Sequence, residues 1–318
     1  MRVPRLLPAV ALAAALVLAG CGGDEQLIEE PSASASDSAV SPTDGPGSAV
    51  PSDLASLVEE YNKSAPPVVD ESAEPPPETV TLGSDVGWPQ CPEEVGIPEK
   101  QGQGQPMPQE DSEFVIIGLT NSPSFTRNPC LADQIDWARD RDLWVGAYSV
   151  VSYPSQDEVE KYGDEGPWDG TTHLGSLRNV GYAAARFNVR TLEEHGLDVP
   201  LVWIDVEPVP EFEWSDDLAA NAAVIVGMAR GYREAGYRIG AYSLESMWSA
   251  IAGDLRLYAP EWRPAGATSR EEAESRCGED WSFQGGNAVL VQWVEDNRDH
   301  NVPCPGVDLD PERWFHRY

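Results

Sequence analysis

The 318-residue chain carries 54 acidic against 21 basic side chains, a formal net charge of −33. Charge of one sign at that level argues against nucleic-acid binding and against electrostatic adhesion to anionic membranes or anionic polymers. For most of the excess, solubility is the simpler account.

The N-terminus sets a compartment. Arg2 and Arg5 precede an apolar run from Leu6 to Leu18, then Leu18-Ala19-Gly20-Cys21. A positive start, a short apolar region and small residues before a cysteine resemble the bacterial lipoprotein signal. Residues 1–20 are therefore expected to be removed and Cys21 to be lipidated; the alternative is an ordinary secretory signal with an incidental Cys21. Either way the mature chain is extracytoplasmic, and lipid at Cys21 would tether it to the membrane without a spanning helix. Residues 21–79 are rich in Ser, Pro and acids. Such a stretch cannot bury enough apolar surface to order itself, so it reads as a disordered tether with a mean reach of roughly 40 Å. From residue 80 onward about 240 residues remain, enough for one large domain with its own core.

Strands and helices alternate through that domain. Thr81 to Val86 reads as a first strand, followed by a Gly, Pro and Gln-rich loop to about Ser112. Phe114 to Leu119 is a second strand. Asn128-Pro129 marks a helix start, with Leu131, Ile135 and Ala138 at helical spacing. Trp144 to Val150 is a third strand, and Thr172 opens a long helix. Leu201 to Val206 is a fourth strand, apolar and β-branched. Ser215 with Asp216 and Asp217 caps the next helix. Tyr237 to Tyr242 is a fifth strand, and Ser243 starts a short helix stopped by Gly253. Leu255 to Ala259 is expected as the sixth strand, Thr268 and Glu271 as a capping box, Ala288 to Val294 as the seventh strand and Gly306 to Leu309 as the eighth. Eight strands with intervening helices predict an α/β fold, an irregular (β/α)₈ barrel whose first and last connections lack a helix.

Chemistry in such barrels sits where parallel strands end. Asp85 ends strand one; Asp205 and Glu207, sharing a face two residues apart, end strand four; Asp308 and Asp310 end the expected strand eight. Strands one and eight are neighbours in a closed barrel, so these acids would meet across one mouth. Crowded, buried carboxyls repel and lose hydration, which raises at least one pKa toward the range of a general acid. The plainer alternative is a strand whose polar end reaches solvent. Besides Cys21 there are four cysteines, an even set that in an exported chain suggests two disulfides. Three pairings are open, and the sequence-local ones, Cys91–Cys130 and Cys277–Cys304, are expected. No Cys-x-x-Cys or His-Glu-x-x-His spacing suggests a metal, and no nucleophile elbow, phosphate loop or dinucleotide pattern suggests other chemistry; no cofactor is expected.

In order along the chain, Asp85-Val86 with Gln90, Gly146-Ala147-Tyr148, Asp205-x-Glu207, Gly240-Ala241-Tyr242, Gln292-Trp293 and Val307-Asp308-Leu309-Asp310 resemble the lysozymes of glycoside hydrolase family 25. Actinobacterial secreted domains labelled glycoside-hydrolase-like look at least as close. The resemblance implies an N-acetylmuramidase-like barrel cutting peptidoglycan. It gives Glu207 the role of general acid, Asp205 that of orienting the substrate's acetamido group, and Asp85 and Asp308 supporting roles, a division that suits glycoside hydrolysis. Trp88, Gln90, Tyr148, Tyr242, Trp262, Gln292, Trp293 and Asp310 are the expected substrate contacts. Trp203 is assigned instead to core or rim packing, on the side away from Asp205. The family often has a histidine where this chain has Ser149, its Trp-x-Ala-x-Tyr segment is only loosely echoed by Tyr258 to Trp262, and Pro208 directly follows the acid. The expected partner is peptidoglycan or another wall glycan, engaged by a monomer; the alternative is a non-catalytic wall-glycan-binding lipoprotein on the same fold.

Overall fold

Apolar runs make most of the barrel staves, because side chains on both of their faces are covered, while Gly83–Val86, Glu261–Pro264 and Arg298–Pro303 are polar or mixed. The computed structural model describes residues 79–120 and 122–318. The expected signal peptide, the lipidated Cys21 and the tether up to residue 78 lie outside the described residues. No described helix is long and apolar enough to cross a membrane.

In chain order the elements are β1 (Gly83–Val86), a small hairpin of β2 (Gly96–Ile97) and β3 (Lys100–Gln101), β4 (Phe114–Gly118), α1 (Leu131–Arg139), β5 (Trp144–Val150), α2 (Gln156–Tyr162), α3 (His173–His195), β6 (Leu201–Asp205), α4 (Leu218–Glu234), β7 (Arg238–Tyr242), α5 (Glu245–Ala252), β8 (Glu261–Pro264), α6 (Arg270–Ser275), β9 (Ala288–Glu295), β10 (Arg298–Pro303) and α7 (Pro311–Trp314). Eight of the strands close into a barrel in the order β1-β10-β9-β8-β7-β6-β5-β4. Seven run parallel; β10 is antiparallel to both of its neighbours. The expected α/β barrel is present, and its irregularity lies where the helices were missing, in the β1–β4 and β9–β10 connections.

Two expected strands are elsewhere. Leu255, Leu257 and Ala259 are buried in alternation, yet that stretch forms no strand, and Tyr258 has φ +52°. The sixth barrel stave is β8, whose Glu261 and Arg263 form a buried salt bridge at 2.7 Å. Gly306 to Leu309 is likewise not a strand. The eighth stave is β10, reached from β9 by a tight turn with φ positive at Asp296 and Asn297. The helix starts shift slightly. Cys130 and not Asn128 precedes α1, and the Asn128 side chain accepts from the Cys130 N–H. Asp217, not Ser215, caps α4, and Ser269, not Thr268, caps α6.

Two hydrophobic layers hold the barrel. Outside, α3 and α4 pack on the strands through residues such as Leu177, Val224 and Met228. Inside, Phe114, Ile116, Leu201, Trp203, Trp262 and Leu290 fill the lower barrel, and Trp314 and Phe315 plug its floor. Trp203 is core as expected, but not turned away from Asp205. Two residues apart on one strand, they share the inward face, with Trp203 one layer deeper. Disulfides join Cys91 to Cys130 and Cys277 to Cys304, the sequence-local pairing.

Candidate active site

The mouth is a cleft of about 320 Å³ where the parallel strands end. Asp85, Asp205, Glu207 and Asp299 line it together with Lys100, Trp88, Tyr148, Tyr242, Trp262 and Gln292. The strand pattern explains why. Each of these strands turns alternate residues inward, and at the top layer those residues are polar or aromatic. Gly87 and Gly118 leave room for the Tyr148 ring: a Cβ at either would come within 2.4 or 2.7 Å of it.

Asp85, at the centre, is 9% exposed. Its Oδ1 accepts from Gln292 Nε2 and Asn301 Nδ2, both at 2.7 Å. Gln292 Oε1 in turn accepts from the Tyr242 hydroxyl at 2.9 Å, and Asn301 Oδ1 accepts from Trp262 Nε1 at 2.7 Å. Burial pushes Asp85 up to about 6, while the two carboxamide donors hold it lower than burial alone would. Asp205 is 4% exposed, and its Oδ1 has no hydrogen-bond partner. Burial and then the charge of Glu207 raise it well above the usual carboxylate range. Glu207, partly exposed, is also raised by burial, against the pull of the Lys100 ammonium. Its backbone oxygen accepts from Trp214 Nε1 at 2.9 Å, which fixes the loop after β6. Asp299 is pushed up to about 8, by burial first and then by Asp85 and Glu207. Burial thus raises all four acids above the ordinary carboxylate value, and three of them are raised further by a neighbouring acid.

The structure brings Asp85, Asp205, Glu207, Trp88, Tyr148, Tyr242, Trp262 and Gln292 to one cleft. Four expected residues are not there. Asp308 is exposed beside Thr79–Thr81 and Pro303, at the floor end of the barrel, because the segment that carries it follows an antiparallel strand. Asp310 caps α7, accepting from the Glu312 N–H. Gln90 closes its own loop by accepting from the Gly87 N–H at 2.8 Å. Trp293 alternates away from Gln292 and stacks on His300 outside the barrel, ring centroids 5.0 Å apart. Ser149, in the position where a histidine was noted as common, also faces outward, its Oγ 2.7 Å from the Tyr232 hydroxyl. That departure leaves the cleft unchanged. Sequence reasoning missed Asp299, Asn301 and Lys100. The signal for the first two was present: Asp296-Asn297 suits a two-residue hairpin turn, and the alternation of Asp299 and Asn301 behind it suits a strand with a polar inner face.

The family model described as "Lysozyme-like protein 1" matches residues 175–264, which include β6 and its two acids. A relative described as a probable family 25 lysozyme 4, from Dictyostelium discoideum, is 34% identical over 65 residues, covering 20% of this chain and 29% of its own length. The domain is similar to the family 25 lysozymes. Solved structures with a similar trace include a muramidase from Acremonium alcalophilum (14% identity, TM-score 0.44, 73% of this chain and 97% of that one). Another is a family 25 glycosyl hydrolase from Bacillus anthracis (14%, TM-score 0.45, 78% and 100%). A third is the modular autolysin LytC of Streptococcus pneumoniae (15%, TM-score 0.45, 70% and 46%). This chain thus spans under a third of its curated relative and under half of the autolysin. Trace similarity at this level assigns no residue a role.

Proposed function

We propose that the domain is a lysozyme-type glycosidase acting on peptidoglycan or a related wall glycan, exported and held to the membrane by lipid at Cys21. The observation that carries the reading is the state of Glu207. It sits at the end of β6 in an open cleft, its pKa is raised, and it forms no ion pair within 4.0 Å among the described residues. A carboxyl whose hold on its proton is strengthened by burial and that faces space for a sugar can protonate a leaving glycosidic oxygen. Asp205, one residue pair away on the same face, supplies negative charge or a hydrogen-bond acceptor beside the developing oxocarbenium centre. Asp85 raises the pKa of both, and Asp299 lines the same cleft. Tyr148, Tyr242 and Trp88 offer ring edges and faces for the sugar. The similarity over residues 175–264 supports this reading, and the lipid anchor rests on the sequence of the first 21 residues.

A second reading has one observation in its favour. Lys100 favours the ionised form of Glu207, which works against acid catalysis and suits a wall-glycan-binding protein. The test separates the two. The full chain in detergent and its Glu207→Gln variant are incubated with purified peptidoglycan, and released fragments and new reducing ends are identified by mass spectrometry. New muramic-acid reducing ends from the parent alone support the enzyme. Sedimentation of both with the wall material, without release, supports the binder. Absence of both release and sedimentation removes the glycan reading.

A further inference from the structure

Lys100 is a buried cation at the edge of the cleft. It opens β3 of the inserted hairpin and is only 9% exposed, yet it lines the cleft. Its Nζ lies 4.7 Å over the Trp88 ring. It forms no salt bridge within 4.0 Å and no hydrogen bond through Nζ among the described residues. It is also the one cation lining the cleft, amid four carboxyls. Burying an ammonium costs free energy unless something pairs with it, and three donors are left unused. The Trp88 face compensates part of that cost. Attraction from Glu207 and Asp205 offsets a further part, yet burial still holds the Lys100 pKa below its ordinary value, so the ammonium stands to gain from an added anion. What remains is a cationic donor group, seated over Trp88, that lines a cleft of about 320 Å³.

We infer that Lys100 is a specificity residue that binds a carboxylate carried by the sugar in the cleft. The ligand class is a glycan whose ring bears a carboxyl group, either an ether-linked lactyl acid or a uronic acid. An ammonium–carboxylate contact in a partly dry cleft is strong enough to select that glycan over its neutral counterpart by about tenfold or more. An acidic protein that repels polyanions at its surface would then accept one at a single point. The inference rests on the glycan-cleft reading above.

The test measures binding by calorimetry with the full chain in detergent, carrying Glu207→Gln so that ligand survives. Three tetrasaccharides serve as probes: one of N-acetylglucosamine alone, one alternating with N-acetylmuramic acid bearing free lactyl carboxyls, and one alternating with glucuronic acid. With Lys100 present, at least one carboxylated probe should bind about tenfold tighter than the neutral one, and which of the two does so identifies the source of the carboxyl. Lys100→Gln should abolish that preference while leaving the neutral probe's affinity within about twofold, and Lys100→Arg should retain it. An unchanged preference in Lys100→Gln overturns the role of Lys100 but leaves the glycan reading standing. A parallel fall for all three probes assigns Lys100 to holding the loop or balancing the acids, and also overturns it. No binding of any probe, with no release from peptidoglycan by the parent protein, removes both readings together.

Discussion

Replacing Asp299 by Asn should flatten the loss of stability with rising pH. Burial pushes Asp299 from 3.8 in the ordinary case to about 8. Between those values the folded state holds one proton more than the unfolded state, so stability falls as pH rises. The advantage is complete below the ordinary value and gone above about 8. Across the two pH units from 5 to 7 the slope is about 1.4 kcal/mol per unit for one proton, or about 3 kcal/mol in total. Asp85, pushed up to about 6, adds a fall of the same sign over the lower half of that window. Asparagine has nearly the shape of aspartate and does not titrate, so the variant should lose the Asp299 contribution. For a domain of this size each kcal/mol moves Tm by roughly 2–4 °C. The parent's drop in Tm from pH 5 to pH 7 should therefore exceed the variant's by roughly 6–12 °C, read by thermal denaturation in matched ionic strength. Parallel Tm–pH curves would show that Asp299 is ionised in the fold at pH 5 and would refute the argument for a proton-holding acid cluster.

Other outcomes follow from features away from the titrating acids. Arg263→Met strands the fully buried Glu261 without its 2.7 Å partner, and should cost about 3–5 kcal/mol in urea unfolding. Gly240→Ala would place a Cβ 2.2 Å from the Trp203 ring in the barrel interior, so overpacking should cost about 1–3 kcal/mol by the same measurement. Removing the Cys91–Cys130 bridge with paired serines, across a sequence separation of 39, should cost about 4 kcal/mol by the chain-entropy argument. The same change should weaken glycan binding more than Cys277→Ser with Cys304→Ser, because only the first bridge fastens the loop that carries Trp88 and Lys100.

How far the sequence reveals this depends on what each strand buries. β4, β5, β6 and β9 are apolar on both faces, and their runs are legible as staves. β8 is not, because its Glu261 and Arg263 neutralise each other inside the protein, and a lone pattern of residues gives no sign that two charges will meet. Leu255 to Ala259 shows the opposite failure: it has the period of a strand and is buried, but its links to the neighbouring segment are a Tyr258 N–H to Gln284 oxygen bond and the Gln284 side chain on Ala259, not a strand ladder. β10 carries Asp299 and Asn301 on its inner face, so polarity that usually marks a surface marks the cleft instead. The same misplacement moved the expected acid from Asp299 to Asp308. Asp205 and Glu207 were legible because they close a recognisable apolar stave, whereas Asp85 sits within the short, mostly small-residue β1 and was legible through its motif with Val86 and Gln90. Lys100 was not, since a two-residue hairpin inside a Gly and Pro-rich loop has no periodicity to place it.

The hydrogen bonds around Asp85 also have a direction. An indole N–H can only donate, so Asn301 must turn its oxygen toward Trp262 and is left with its NH₂ group toward Asp85. Asp85 therefore meets a donor and is asked to accept. The amide cannot rotate to suit a protonated carboxyl without abandoning the tryptophan. The tyrosine at the other end of the chain is free to donate or accept, so Gln292 can turn over and Asn301 cannot. Both carboxamides meet Asp85 at Oδ1, so a ring buried in the barrel holds that oxygen as an acceptor on the Asn301 side, and a proton gained by the carboxyl is placed on Oδ2 unless Gln292 turns over.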